Sequence, residues 1–358
     1  MSERMLEHFM QMVRIDSESG NEEKMMRHLM EIVPDAGGEA QRDAYGNLVA
    51  RWPARGCEGR DPVLLSCHAD TVKPGVGIEP VVVDGIVRSK GDTILGADDK
   101  AGIAEVIEAM RTCEVRPPVE FAVSRQEEVG LIGVKNMDFS LITAKRGFLL
   151  DNDTLETIVI GGPSYFAIDV TVTGKAAHAG MEPEKGVSAI LAASNAISAV
   201  RLGRLDHETT ANVGVIEGGL IRNGVPDRCT FLAECRSADH DKAVALEKEM
   251  VGIIRERVEK AGAKVEIASD NLCRAVSIPD DAWTVQIAKK ALATIGIEAE
   301  TVFITGFTDA SIYNNEGIEM AVVGIGAVGE HTTDEHIAVA DMERAVVMID
   351  EILRLSAE

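Results

Sequence analysis

Five side chains of the types that bind metal ions follow strand-like apolar segments or open a helix-like one: His68, Asp98, Glu128, Asp151 and His331. His68 directly follows the apolar segment 63–67, and Asp98 lies in a loop that leads into the helix-like segment 100–111. In an open α/β sheet, functional groups collect at the carboxyl ends of the strands. We therefore expect these five side chains to converge on one site.

Two imidazoles and three carboxylates suit a pair of divalent cations such as zinc. One carboxylate can bridge two ions ~3.5–4 Å apart, while the others complete each site. Glu127 and Glu128 are adjacent, so one can bind a metal while the other stays free as a general base for an activated water. Asp70 stands two residues after His68, where its carboxylate can accept the other imidazole N–H. Each feature alone is common on protein surfaces, and the prediction depends on the ordered set.

The amino-acid composition limits the kinds of partner that this protein can bind. The 358 residues include 36 Lys and Arg against 59 Asp and Glu, a formal net charge of -23. Such a charge repels nucleic acids and anionic membranes, so we expect neither as a partner. No apolar run approaches the ~20 residues that span a bilayer, and the first helix-like segment is amphipathic rather than secretory. Six cysteines without a CxxC pair favour free thiols. These features predict a cytoplasmic protein.

The order of elements predicts two domains. Short apolar strands alternate with helices up to about residue 150 and again from 281, which favours a helix-covered, mostly parallel sheet. Between them, a strand at 165–173, a helix at 187–200, strands at 211–216 and 229–235, a helix at 242–260 and a strand at 264–268 follow in the order βαββαβ. We therefore predict an α/β catalytic domain, 1–164 and 275–358, interrupted by an inserted α+β lid, 165–274.

The motifs resemble those of the M20 family of di-zinc peptidases, and most closely its peptidase T-like branch. The resemblance follows the family order over nearly the whole chain. The matching stretches are Cys67-His68-Ala69-Asp70-Thr71-Val72, Gly96-Ala97-Asp98-Asp99-Lys100-Ala101-Gly102, Glu127-Glu128-Val129-Gly130, Leu150-Asp151, Gly174-Lys175-Ala176-Ala177-His178-Ala179-Gly180, Asn223-Gly224-Val225-Pro226-Asp227, Thr308-Asp309-Ala310 and His331-Thr332-Thr333-Asp334-Glu335.

The resemblance assigns roles to the residues of the first domain. It implies that His68 and Asp151 hold one metal ion, that Glu128 and His331 hold the other, and that Asp98 bridges the two. The implied cofactors are two divalent ions, zinc first, with cobalt or manganese as alternatives. The resemblance also implies that Glu127 is the general base and that Asp70 is the carboxylate that supports the imidazole of His68. The family also implies a cis peptide bond after the bridging aspartate.

The resemblance also assigns substrate contacts and an assembly to the lid. His178, Asn223 and Arg236 are the implied substrate-binding residues, and the lid is the implied interface of a homodimer. Asp151 is typical of the aminopeptidase and dipeptidase branches, where several carboxypeptidases and deacylases have Glu. Thr305 stands where peptidase T commonly has Arg, and a threonine cannot pair with a substrate carboxylate as an arginine can.

The favoured function is an aminopeptidase that hydrolyses short peptides. An N-acyl-amino-acid or ureido amidohydrolase would use the same chemistry on another substrate. A non-catalytic protein that binds peptides or metal is a second alternative, which the presence of both Glu127 and Glu128 disfavours. Nucleotide binding is disfavoured because the stretch Gly75-Val76-Gly77-Ile78-Glu79-Pro80 lacks a third glycine and has a proline where a helix should begin.

Overall fold

A computed structural model describes residues 2–358. The chain forms two compact units. The first combines the chain up to Gly161 with Ser277–Glu358, and the second is Gly162–Val276. The helices are α1 (Ser2–Val13), α2 (Glu23–Asp35), α3 (Ala97–Thr112), α4 (Ile132–Lys135), α5 (Ala189–Ile197), α6 (His240–Lys260), α7 (Trp283–Thr294), α8 (Ala310–Asn315) and α9 (Val339–Ser356).

The strands are numbered along the chain through both units. They are β1 (Glu39–Arg42), β2 (Leu48–Trp52), β3 (Val63–His68), β4 (Pro80–Val83), β5 (Ile86–Ser89), β6 (Val119–Ser124), β7 (Arg146–Asn152), β8 (Thr157–Gly162), β9 (Ser164–Thr173), β10 (Ala177–His178), β11 (Gly203–Arg204), β12 (Thr209–Gly218), β13 (Gly224–Val225), β14 (Arg228–Ser237), β15 (Lys264–Cys273), β16 (Val276–Ser277), β17 (Glu300–Phe303), β18 (Glu319–Gly324), β19 (Ala327–Val328) and β20 (His336–Ala338).

The first unit is built on one large sheet in the order β1-β2-β6-β3-β7-β18-β8, with β17 also paired to β8. The pairs β3–β6, β3–β7, β7–β18 and β8–β17 are parallel. All six residues of β3 and all six of β6 are buried, as expected for strands covered on both faces. Helices α1, α3, α7 and α9 pack with one another, and α3 also packs on β3 and β7. The predicted mostly parallel, helix-covered sheet is confirmed.

A second, four-stranded sheet in the order β19-β20-β5-β4 was not predicted from the sequence. Its strands have two to four residues each, and β4 is largely exposed. Strands this short carry too few residues for a clear alternation of apolar and polar side chains. The four strands form one sheet because β5 pairs with β20, and these two strands are far apart in the chain.

The second unit has a five-stranded antiparallel sheet in the order β11-β12-β14-β9-β15. Helices α5 and α6 pack on each other and on β14, so both lie on the same face of this sheet. Ser188 and Asp239 cap the two helices, since their side chains accept backbone N–H bonds from Leu191 and Lys242. The longer elements follow the predicted βαββαβ order, to which the short strands β10, β11 and β13 are added.

The six cysteines are free thiols, five of them buried and Cys57 half-buried, in agreement with the prediction. Among residues 2–358, no helix is both long and apolar enough to cross a bilayer.

Glu105 gives a prediction about stability. This α3 residue is fully buried, and neither carboxylate oxygen has a hydrogen-bond partner among the described residues. Burial raises the pKa of Glu105 well above its usual range. The unfolded chain, with a pKa of about 4.3, loses this proton first, so the cost of burying Glu105 grows as the pH rises above that value.

We expect Glu105→Leu to raise the free energy of unfolding by about 1–3 kcal/mol near neutral pH, because it removes two unpaired buried oxygens. The gain should be larger at about pH 8 than at about pH 5. Urea denaturation at both pH values measures it. Glu105→Gln is the matched control, which removes the titration but keeps a buried polar group. A loss of stability at the higher pH in Glu105→Leu would contradict the prediction.

Candidate metal centre

Three neighbouring parallel strands of the large sheet, β6, β3 and β7, bring the candidate residues to one edge of the sheet. His68 is the last residue of β3, and it lies beside Ser124, the last residue of β6. Glu127 and Glu128 follow β6 within four residues, and Asp151 is near the end of β7. Because parallel strands end at the same edge, the sheet itself places these side chains together.

The first group of ligand atoms surrounds the His68 imidazole. Its Nε2 lies 3.0 Å from Oδ1 of Asp98 and 3.5 Å from Oδ1 of Asp151. All three side chains are buried, with at most 10% of each exposed. The predicted ligands of one metal ion thus meet around a single imidazole nitrogen.

The second group lies on the other side of Asp98. Nε2 of His331 is 3.2 Å from Oδ2 of Asp98 and 3.0 Å from Oε1 of Glu128. The two carboxylate oxygens of Asp98 therefore face two different imidazoles, which is the arrangement a bridging ligand requires. The His331 side chain is 55% exposed, so this second group is the more accessible one.

The hydrogen bonds of the His68 ring indicate whether this set of ligand atoms suits a cation. Nδ1 of His68 lies 3.0 Å from the backbone oxygen of Asp70, and a carbonyl oxygen can only accept a hydrogen bond. Nδ1 therefore carries a proton, and Nε2 faces the carboxylates of Asp98 and Asp151. Burial lowers the pKa of His68, but the charge of Asp98 and the hydrogen bonds to Asp151 and Asp70 outweigh it and raise this pKa well above its usual range. An imidazole nitrogen that faces carboxylate oxygens holds either a proton or a metal ion between them. The donor set fits a divalent metal ion.

The charged groups around the site also favour a bound cation. Hydrogen bonds to Asp98 and Glu128 raise the pKa of His331 to about 10. Burial and the nearby carboxylates raise the pKa of Asp151 to about 6. Glu330, which the sequence did not single out, is a further crowded carboxyl, and burial with the charges of Asp98 and Asp151 raises its pKa to about 9. A bound cation would stabilise Asp151 and Glu330 as carboxylates and would take the place of the proton on His331.

Glu127 differs from its neighbour. Its side chain is buried and makes no hydrogen bond to the described residues, whereas Glu128 contacts His331. Burial and the charge of Asp151 raise the pKa of Glu127 well above its usual range. A buried carboxylate beside the ligand group, with no partner of its own and a raised pKa, has the properties of a general base.

Asp70 holds this part of the site in place. Its Oδ1 accepts a hydrogen bond from the backbone N–H of Glu127 at 2.9 Å, and its Oδ2 accepts one from that of Glu128 at 3.2 Å. Ser19 donates to the same carboxylate at 2.7 Å. The carboxylate is 3.5 Å from Nδ1 of His68, farther than the Asp70 carbonyl oxygen. Asp70 therefore positions both glutamates as well as His68.

Glu335, for which the sequence predicted no role, holds the loop that contains Asp98 in place. One carboxylate oxygen accepts from the backbone N–H groups of Leu95 and Gly96 at 2.8 and 2.7 Å, and the other accepts from that of Asp98 at 3.1 Å. The predicted cis peptide between Asp98 and Asp99 is present in this loop. Contacts between Glu335 and residues about 240 positions earlier leave no pattern in a single sequence.

Asp99 and Asp309 are two further buried carboxyls that sequence reasoning left without a role. Oδ2 of Asp99 accepts the backbone N–H of His68 at 3.0 Å, which ties the Asp98 loop to the end of β3. Asp309 accepts a hydrogen bond from Ser124, at the end of β6, and burial raises its pKa to about 7. Both side chains are fully buried. Both support the strand ends, and a carboxylate oxygen of Asp99 also lies within 4.8 Å of ligand atoms of His68 and Asp151.

His331 and Gln126 have left-handed backbone conformations, with φ of 60° and 53°. This conformation costs an L-residue other than glycine roughly 1–2 kcal/mol. Gln126 immediately precedes Glu127, and His331 is itself a predicted ligand. Strained residues of this kind concentrate at functional sites, where the surrounding contacts hold them.

The predicted lid residues lie in the second unit. His178 is exposed on β10, and its Nδ1 accepts the backbone N–H groups of Gly180 and Met181 at 3.2 and 3.1 Å. Its Nε2 therefore carries the proton and can donate a hydrogen bond. Asn223 is exposed next to β13, which pairs with β10. Arg236 lies 4.3 Å from the centre of the Tyr165 ring and pairs with Glu234 at 2.8 Å.

An α/β sheet with an inserted α+β unit, and a set of imidazoles and carboxylates at its carboxyl edge, defines the class of metal-dependent hydrolases. Residues 164–262 match the peptidase dimerisation domain of the M20 family. YqjE of Bacillus subtilis is 36% identical over 368 residues, which cover 99% of each chain.

Two solved structures are similar over the whole length. Aminopeptidase PepT from Bacillus cereus is 35% identical with a TM-score of 0.92, and a tripeptidase from Staphylococcus aureus is 33% identical with a TM-score of 0.94. Each comparison covers 100% of this chain and 99% of the other. The chain belongs to the M20 family of metallopeptidases, in its peptidase T-like branch.

Proposed function

We propose that this protein is an aminopeptidase that hydrolyses short peptides with a free amino terminus and depends on two divalent metal ions. The observation that carries the proposal is the Asp98 carboxylate, whose two oxygens face the imidazoles of His68 and His331. Relatives that are named as an aminopeptidase and a tripeptidase, at 33–35% identity over the full chain, support the substrate class.

The proposed ligands are His68, Asp98 and Asp151 for one ion and Asp98, Glu128 and His331 for the other. Imidazole and carboxylate ligands suit zinc, and cobalt or manganese can occupy the same donor set. When bound, the two ions supply Lewis acidity that polarises the scissile carbonyl and lowers the pKa of water.

Glu127 is the proposed general base. Its carboxylate takes a proton from the attacking water and passes it to the nitrogen of the leaving amine. Asp70 keeps Glu127 and Glu128 at a fixed spacing, because one carboxylate accepts both backbone N–H groups. In the second unit, the proposed lid, His178 has an Nε2–H that can donate to a developing oxyanion. Asn223 and Arg236 are the other proposed substrate contacts.

Blocking the amino terminus of the substrate tests the proposed function. We expect hydrolysis of a free tripeptide and loss of cleavage, by about 10²-fold or more, when its amino terminus is acetylated, because acetylation removes the charge and the hydrogen-bond donors by which an aminopeptidase recognises its substrate. Chromatography of the products shows which residue is released. A tripeptide amide with a free amino terminus is the control for loss of charge at the other end. Preference for the acetylated substrate would instead favour an N-acyl-amino-acid amidohydrolase.

The second unit also offers the proposed dimer interface. β11 pairs with β12 only at residues 210–211, so the rest of β12 is an open edge. Exposed apolar side chains lie along this edge and on the neighbouring α5: Val215 and Ile216 are 43% and 51% exposed, and Leu191 is 60% exposed. Open strand edges with apolar side chains readily pair with a second copy.

We expect the wild-type protein to be a homodimer and the double variant Leu191→Glu, Ile216→Lys to be a monomer, because it buries two charges in the proposed interface. Light scattering coupled to gel filtration measures the mass. Val83→Lys is the matched control, since Val83 is 56% exposed on β4, an edge strand of the first unit. A double variant that stays dimeric would show that the interface lies elsewhere.

A further inference from the structure

We propose that the first unit has a second ligand site, which binds a small phosphate-bearing anion at the edge of the sheet opposite to the metal centre. The pocket is lined by the residues before β3, the start of β7, the start of α7 and the end of α9. Its charged and aromatic residues are Arg60, Asp61, Lys145, Arg146, Trp283 and Glu358. This proposal does not rest on the peptidase function.

The pocket is separated from the metal centre by the length of the sheet. Val63, the first residue of β3, lines the pocket, and His68, the last residue of the same strand, is a proposed metal ligand. Five residue steps at ~3.3 Å each place the two ends about 16 Å apart. Arg146 and Asp151 stand at the two ends of β7 in the same way. The pocket is therefore no part of the peptide-binding cleft.

The guanidinium group of Arg146 is already oriented for a ligand. Its central carbon lies 5.0 Å from the centre of the Trp283 ring, so the indole face supports it. Stacking of this kind leaves the N–H donors at the rim of the guanidinium plane free to form two parallel bonds with an oxyanion. Among the described residues, Arg146 has no carboxylate partner.

The charge balance of the pocket is unusual for this protein. The whole chain has a formal charge of -23, yet three cationic side chains line this pocket, and Arg60 and Lys145 likewise have no carboxylate partner among residues 2–358. The Glu358 side chain is paired with Arg354 at 2.6 Å. Asp61 is the remaining lining carboxylate. Three cationic side chains against the two carboxylates of Asp61 and Glu358 leave the lining side chains with a net charge of +1.

These properties select the chemistry of the ligand. Two guanidinium groups and an ammonium group around a small concavity suit a compact dianion, for which arginine offers paired donors and lysine a point charge. A nucleic acid is excluded, because the surrounding acidic surface repels a long polyanion. The shared chemistry is a phosphate group, either free or as a monoester of a small metabolite.

Calorimetric titration of the metal-loaded protein in a phosphate-free buffer tests the proposal. Inorganic phosphate and a phosphate monoester, glycerol 3-phosphate, are the two probes. We expect saturable binding of at least one of them at millimolar concentrations or below, with a change in Trp283 fluorescence. Tighter binding of the monoester would identify an organic phosphate as the ligand class, and tighter binding of phosphate would identify the free anion.

Variants locate the binding site, because phosphate also has affinity for metal ions. The double variant Lys145→Ala, Arg146→Ala should bind about tenfold more weakly or worse, since it removes the paired donors. The control Arg255→Ala, Lys264→Ala removes the same charge from exposed positions of the second unit and should bind as the wild type does. Arg146→Lys keeps the positive charge but loses the paired N–H donors of the guanidinium group. This variant should therefore bind with intermediate affinity.

Circular dichroism and peptidase activity, which should be unchanged, verify that the variants are folded. If the double variant does not fold, Lys145→Ala alone replaces it, since Lys145 is exposed at the mouth of the pocket. Absence of saturable binding, or equal affinity of the wild type and the pocket variants, would overturn the proposal. Equal affinity would assign the bound anion to the metal centre or another surface.

Discussion

Glu127→Gln should abolish peptide hydrolysis while leaving both metal ions in place. The amide has nearly the shape of the carboxylate but cannot take a proton from water, and general-base catalysis contributes about 10²–10⁴-fold to the rate. The substitution should not disturb the fold, because the Glu127 side chain makes no hydrogen bond to the described residues and Asp70 holds its backbone N–H. We therefore expect kcat for a tripeptide to fall by about that factor.

Glu128→Gln is the matched comparison, one residue away. Oε1 of Glu128 is 3.0 Å from Nε2 of His331, and an amide oxygen is a much weaker ligand than a carboxylate. This variant should lose one of its two metal ions on dialysis, and added metal should restore part of its activity. Metal content by mass spectrometry and kcat for both variants provide the test. If Glu127→Gln lost metal and Glu128→Gln kept both ions, the two roles assigned here would be reversed.

The parts of the fold that the sequence predicted are those with strong local patterns. Met342, Val346, Ile349 and Leu353 recur at the spacing of one helix face, and all four residues are buried on α9. The alternation in segment 165–173 predicted a strand with one covered face, and β9 buries every second residue. Periodicity of this kind is imposed by the helix and the strand themselves, so a single sequence displays it.

The clustering of the candidate ligands was predictable for a related reason. His68, Asp151 and the two glutamates follow buried strands, and the parallel order of β6, β3 and β7 turns these separate positions in the sequence into neighbours in space. A residue type at the end of a strand is visible in the sequence. The order of the strands is not: the βα alternation predicted only a mostly parallel sheet, and the structure supplies the order.

The supporting contacts could not be predicted, because they join distant parts of the chain. The Asp70 carboxylate was expected to accept a hydrogen bond from the His68 ring. In the structure the Asp70 backbone oxygen is the nearer partner, and the carboxylate accepts hydrogen bonds from the backbone N–H groups of Glu127 and Glu128. Glu335 holds three amides of the Asp98 loop in the same way. A carboxylate that binds backbone N–H groups imposes no residue type on its partners, so it leaves no pattern to read.

Removal of the metal ions is the second prediction with a large effect. A strong chelator should abolish hydrolysis, because the proposed reaction depends on metal ions held between Nε2 of His68 and the carboxylates that face it. Zinc, cobalt or manganese should restore activity. His68→Ala is a useful comparison, since it removes the imidazole around which the first ligand group is built.

Metal counting combined with a hydrolysis assay on the same sample tests the central claim most directly. Protein dialysed against a chelator is titrated with zinc, while bound metal is measured by mass spectrometry and release of the amino-terminal residue from a tripeptide is followed. The proposed site predicts two ions per chain at saturation and activity that appears only as the sites fill. Full activity in protein shown to contain no metal would contradict it.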